Sequence, residues 1–170
     1  MQILYYLVNK NPNMYCERVF APAKDMASLM KEVDLPLYTL ETKTPVKNCD
    51  VFGFTVQYEL GYSNILLCLD EAGIPLLSKD RTESDPIIIA GGPCCFNPEP
   101  FAPFIDVIQV GDGEEQLIEL LELARQRKIR YNLYGYLCPN LTACPALHDL
   151  SAVHSFNKEE QSIPMTRGTA

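Results

Sequence analysis

In "QILYYLVN" the apolar positions 3, 4, 7 and 8 recur at helical spacing, and the polar stretch from Asn9 to Asn13, with Pro12 inside it, ends the run. A helix is predicted there. "CERVFA" reads as a short strand closed by Pro22. From Asp25 onward Met26, Leu29, Met30 and Val33 fall at i, i+3, i+4 and i+7, which predicts an amphipathic helix ending near Asp34 to Pro36. "PLYTLE" follows as a short extended piece. "CDVFGFTVQ" is rich in β-branched and aromatic residues and nearly unbroken in apolarity, as expected of a strand buried on both faces of a parallel sheet. A helix from about Tyr62 to Ala72 comes next, with Ile65, Leu66 and Leu69 inward and Gly73 as its stop. "DPIIIAGG" and "IDVIQVGDGEE" repeat the buried-strand pattern. "EEQLIELLELARQRK" is then the most regular helix of the chain, with acids in its first turn and Arg125, Arg127 and Lys128 in its last, matching the helix dipole.

Three apolar strands, each leading to a loop and a helix, predict an α/β fold with a mainly parallel sheet of Rossmann-like type. Right-handed crossovers would bring the three following loops to one edge, where open α/β sheets bind ligands. Beyond Lys128 neither period persists. Residues 1–128 are therefore read as the folded domain and residues 129–170 as an irregular tail with at most one short helix, around Ala146 to His154.

Composition sharpens this picture. The 170 residues are 47% hydrophobic and 21% charged, ordinary for a soluble globular domain. The formal net charge of −8 arises entirely within residues 1–128, which hold 11 basic against 19 acidic side chains. Such a surface repels a phosphate backbone, so nucleic acid is not an expected partner. No apolar run approaches the roughly 18 residues of a membrane span, and no signal region follows a basic start. With seven cysteines, an odd number, the expected setting is a reducing cytoplasm with free thiols, Cys49 and Cys68 serving as small core residues.

Chemistry is concentrated in the three loops. After the first strand, Thr55, Gln57, Tyr58 and Glu59 offer a hydroxyl, an amide, a phenol and a carboxylate, suited to a polar small molecule or to capping the next helix. After the second, Gly91 and Gly92 allow close backbone approach, and Pro93 stiffens the loop beyond them. The adjacent Cys94 and Cys95 have no His or Lys nearby in sequence to depress a thiol pKa, which favours a binding loop over a reactive pair. In the third, Gly111, Asp112, Gly113 and Glu114 resemble half of a glycine-rich phosphate loop. The third glycine is absent, however, and the carboxylates occupy the anion position, so the loop suits hydroxyl or amide donors, or simply caps its helix. Cys138, Cys144, His148 and His154 have a cysteine gap wider than usual for zinc, and no G-x-S-x-G elbow supports a hydrolytic triad.

Taken in order, "ERVFAP", "DVFGFTVQYELGYSNILLCLDEAGIPLL" and "IIIAGGPCCFNPEPFAPFIDVIQVGDGEE" resemble the N-terminal cobalamin-binding-like domain of a family of radical S-adenosylmethionine proteins. The resemblance covers roughly residues 1–125. It implies a cofactor edge built from Thr55, Gln57, Tyr58, Glu59, Gly91, Gly92, Pro93, Gly111, Asp112, Gly113 and Glu114. It further implies a partner barrel domain, normally in the same chain, that uses a [4Fe-4S] cluster to cleave S-adenosylmethionine. The chain departs from the pattern in three ways. Its cysteines, at 16, 49, 68, 94, 95, 138 and 144, contain no C-x3-C-x2-C, so radical chemistry is not expected of it alone. No D-x-H-x-x-G is present, so cobalamin, if bound, would lack a histidine lower ligand. The family's first strand is expected to be missing, which would make the chain an N-terminal-domain fragment. The expected function is that of an accessory, non-catalytic domain; the alternative is a stand-alone acidic protein-interaction domain without a small-molecule ligand.

Overall fold

The computed structural model describes residues 2–125. The tail, with its expected helix at Ala146 to His154 and the Cys138, Cys144, His148 and His154 set, lies outside them. Helices α1 (Gln2–Lys10), α2 (Lys24–Glu32), α3 (Tyr62–Glu71) and α4 (Glu114–Arg125) surround strands β1 (Val51–Thr55), β2 (Ile87–Gly91) and β3 (Val107–Ile108). The strands form one parallel sheet in the order β1-β2-β3, with Val51 opposite Ile87, Thr55 opposite Gly91 and Ile89 opposite Val107. This is a Rossmann-like α/β arrangement.

The period-2 alternation of the strands sorts their side chains between two layers. Phe52, Ile88, Ala90 and Ile108 face the larger core, which α3 closes with Ile65, Cys68 and Leu69 and α2 joins through Met30. On the other face, Ile87, Ile89 and Val107 pack against Leu117, Leu120, Leu123 and Ala124 of α4, and α1 rests on α4. α3 ends as its sequence predicts: Gly73 takes φ 64° and its N–H donates to the carbonyl of Asp70 at 3.0 Å.

Several expectations need correction. Residues 16–21 form no strand. Leu40 N–H donates to the Arg18 carbonyl, but the other anchors are side chains, with Arg18 paired to Glu41 at 2.7 Å and Asn9 bonding both backbone groups of Cys16, so no ladder develops. The extended piece at residues 36–41 reduces to a single bridge between Tyr38 and Pro45. On α2 only Met30 of the apolar stripe is buried; Met26, Leu29 and Val33 face solvent because the helix touches the core along the Ala27–Met30 line alone. β1 is not covered on both faces, since α4 lies over β2 and β3 and leaves Gly53 and Thr55 exposed. Cys68 is a core residue, whereas Cys49 is half-buried at the end of a 3₁₀ turn.

An ion-paired clasp fastens the end of the sheet where β2 and β3 begin, and the sequence did not announce it. The Arg81 side chain is fully buried, with Nη1 2.9 Å from Asp106 Oδ1. It also donates to the carbonyls of Pro75 (3.0 Å), Leu76 (2.7 Å) and Phe104 (2.6 Å). Asp106 accepts from the Ile88 N–H at 2.7 Å and from the Ser78 hydroxyl. A buried charge held by this many partners is satisfied in the way burial demands.

Candidate functional site at the carboxyl edge of the sheet

Because the strands are parallel and in register, Thr55, Gly91 and Gln109 leave the sheet on the same edge. Val56 N–H donates to Gly91 C=O at 2.8 Å, and Gln109 N–H donates to Ala90 C=O at 2.8 Å. The loops beyond these residues are therefore neighbours. The first two are stitched together: Cys94 N–H donates to Val56 C=O at 3.2 Å, and Cys95 N–H to Gly92 C=O at 3.0 Å, turning the chain at Pro93–Phe96. Tyr62, at the start of α3, stacks at a tilt on Phe101, 5.0 Å between centroids, and feels the nearby Cys94 thiol. Partial desolvation, and then the Cys94 thiol, push the Tyr62 phenol above its usual range.

The glycines of the second loop divide their roles. Gly92, at φ 117° and ψ 179°, places its hydrogen where a Cβ would lie 2.7 Å from the Val56 carbonyl oxygen. Its close approach is to the protein's own backbone rather than to a ligand. A Cβ on Gly91 would meet nothing within 4 Å, so the open position is one residue earlier. In the third loop Gly111 takes φ 101° and also opens onto free space. Gly113 is fixed by Gln109: the buried amide donates from Nε2 to the Asp112 carbonyl at 2.9 Å, and a Cβ at position 113 would come within 3.1 Å of that nitrogen. Gln109 is a positioning residue that the sequence concealed, because a lone polar residue in an apolar strand carries no periodic signal.

Thr55, Gln57, Tyr58, Glu59, Pro93, Asp112 and Glu114 are all exposed on this edge. The Glu59–Gly61 turn runs directly into α3, whose N-cap is Gly61 and takes no side-chain hydrogen bond, so the first-loop side chains do not cap it. Beside these polar groups stand Tyr58, Leu60 and Phe96, with relative exposures of 59%, 85% and 72%. The thiols are shielded: burial pushes Cys95 up to about 12 and Cys68 up to about 11. Among the described residues no group of three or more His, Cys, Asp or Glu is placed to hold a metal ion. No helix among them is long and apolar enough to cross a membrane.

A family model described as the N-terminal region of radical SAM proteins matches residues 1–135, most of the chain. The chain belongs to the radical SAM N-terminal family. A relative in Methanocaldococcus jannaschii, the uncharacterized protein MJ0966, is 32% identical over 102 residues, covering 58% of this chain and 21% of the relative. The chain thus spans about a fifth of that protein. No solved structure matches it. In this chain the Gly-Gly and Gly-Asp-Gly loops follow β2 and β3 at the carboxyl edge. Their glycines divide into structural positions (Gly92 and Gly113) and open ones (Gly91 and Gly111).

Proposed function

We propose that the domain is an accessory module of a radical SAM protein and that its carboxyl edge binds a small molecule of corrinoid type for use beside the catalytic barrel. The observation that carries this reading is the adjacency of Thr55, Gly91 and Gln109 at the ends of three parallel strands, with Gly91 and Gly111 opening onto free space. Strand ends of open α/β sheets are where such folds bind ligands. The fit to cobalamin is partial. The edge supplies hydroxyl, amide and carboxylate groups at Thr55, Gln57 and Glu59, but no imidazole among the described residues. Cobalamin, when bound, supplies a cobalt centre that carries alkyl groups. Thr55, Gln57 and Glu59 would hold such a molecule through its peripheral amides, and no histidine of the described residues would serve as a ligand to its metal. The cluster and S-adenosylmethionine belong to the barrel domain, and the cytoplasm is the compartment proposed for both.

Titration of the chain with hydroxocobalamin, followed by difference absorption and calorimetry, tests the reading. Saturable binding should weaken at least tenfold in Gly91→Val, while Cys95→Ser should retain it. Binding unaffected by Gly91→Val removes the site from this edge.

A second reading, a docking surface without a small-molecule ligand, is favoured by the exposed Tyr58, Leu60 and Phe96 on the same edge. Large exposed apolar side chains gathered on one edge are what an interaction surface presents. Absence of any corrinoid or S-adenosylmethionine binding, together with capture of a separately produced barrel domain, would favour it.

A further inference from the structure

We infer that Asp112–Gly113 is a site of spontaneous backbone isomerisation, from aspartate to isoaspartate, and that the buried Gln109 amide holds it in check. The pair is the sole Asp-Gly in the sequence, which has no Asn-Gly. With no Cβ on the second residue, little shields its amide nitrogen from the carboxyl group before it. Asp112 is exposed to water, and the Gly113 N–H makes no hydrogen bond among the described residues. Nucleophile and carboxyl group are thus both unmasked. The reaction needs no oxidant, no reductant and no second molecule but water. The Gly113 nitrogen attacks Asp112 Cγ, a C–N bond forms, and a carboxyl oxygen departs as water with the amide proton, closing a succinimide ring. Water then adds to either ring carbonyl. Opening at Cγ restores aspartate; opening at the α-carbonyl leaves the chain running through Cβ and Cγ, with its mass unchanged.

The fold controls the approach. Ring closure requires the peptide between Asp112 and Gly113 to rotate until its nitrogen stands over Cγ, and alignment of this kind governs the rate of an intramolecular reaction. That peptide unit is planar, so the Asp112 carbonyl oxygen and the Gly113 nitrogen turn together. Gln109 Nε2 donates to this oxygen at 2.9 Å, from a residue anchored to the sheet by its own N–H on Ala90 C=O at 2.8 Å. One residue on, the Gly113 carbonyl accepts from Leu117 N–H at 3.0 Å, which ties the nitrogen's other neighbour to α4. Isomerisation therefore waits on a local opening of the Gln109 bond. A completed event adds a backbone carbon between residues 112 and 113, withdraws the carbonyl from Gln109 and strands a buried amide. Gly111, the open position of this loop, shifts with it. None of these steps depends on a ligand at the carboxyl edge.

The full chain and a synthetic peptide of residues 107–118, incubated side by side in warm neutral buffer, provide the test. Electron-transfer mass spectrometry, which distinguishes isoaspartate from aspartate, follows position 112 in both. Isoaspartate should accumulate at least tenfold more slowly in the folded chain than in the peptide. Gln109→Leu and Gln109→Glu, whose apolar and carboxylate side chains have no N–H to give the Asp112 carbonyl, should isomerise at least fivefold faster than wild type with unchanged circular dichroism. A measurement on wild type alone accompanies them, in case neither variant folds. The Gln109 side-chain amide resonances, followed by nuclear magnetic resonance, should move in step with the accumulation of isoaspartate. A folded chain that isomerises as fast as the peptide overturns the inference, and a peptide that forms no isoaspartate removes the site itself. Folded Gln109 variants that keep the wild-type rate, or amide resonances that stay in place as isoaspartate accumulates, also overturn it, since another contact would then be the restraint.

Discussion

Replacing Gly92 with alanine puts the smallest possible side chain at a position whose backbone only glycine adopts comfortably. At φ 117° and ψ 179° the residue lies in a region where other residues incur strain of about 1–3 kcal/mol. The added Cβ would sit 2.7 Å from the Val56 carbonyl oxygen, a backbone atom fixed in the sheet, so the loop must move. Movement breaks the Cys94 N–H to Val56 bond, for a further loss of about 1 kcal/mol. Together the terms predict a loss of about 2–4 kcal/mol, a large part of the roughly 5–15 kcal/mol that holds a domain folded. The melting temperature should fall by about 5–12 °C in a chain of this size. Urea unfolding followed by circular dichroism, with Gly91→Ala beside it, provides the assay. Gly91 has open space in place of a neighbour and no positive φ, and its alanine variant should stay within about 0.5 kcal/mol of wild type. Equal losses at the two positions, or a loss at Gly92 below about 1 kcal/mol, would refute the assignment of Gly92 to the fold and Gly91 to the open surface.

Asp106→Asn should destabilise the domain by about 3 kcal/mol in the same assay, because it strands the buried Arg81 charge; a change near zero would show that the clasp is not formed. Cys68 and Cys95 should resist alkylation in the native protein at pH 8 and react at once in urea, as read by mass spectrometry, because burial raises both thiols. The same shifts set a pH dependence. With folded values near 11 and 12 against the ordinary 9, the neutral thiols contribute stability that is fully present below about pH 9 and lost as pH rises through those values. Cys68→Ala and Cys95→Ala should each flatten that alkaline decline, and an unchanged slope in both would rule out the buried thiols as its cause.

The parallel sheet, the four helices and the common edge of the three loops could be read from the chain because each rests on a local period. The run Ile87–Ile89 before two glycines can hardly be anything but a strand meeting a loop. Residues 16–21 misled because β propensity is common to strands and to extended segments, and only a neighbour's ladder separates them. The apolar stripe of α2 misled similarly, since periodicity states which residues share a face and not whether anything covers it. Within the loops, the reason for each glycine could not be read: Gly92 and Gly91 are adjacent in sequence, and only the third dimension shows that one meets Val56 and the other meets nothing. Gln109, Arg81 and Asp106 were invisible for a different cause. Each is a single polar residue whose partners lie in loops or across the sheet.

The clasp around Arg81 bears on how cooperatively the domain opens. Its guanidinium takes carbonyls from the segment that leaves α3 and from the segment that enters β3, and the carboxylate it faces also binds the β2 backbone at Ile88. Both crossovers of the sheet thus close on one positive charge. A state with only one of them in place would hold that charge in a half-built, poorly solvated pocket. Such states are raised in free energy, and the two crossovers should melt and reform as a single unit rather than in succession.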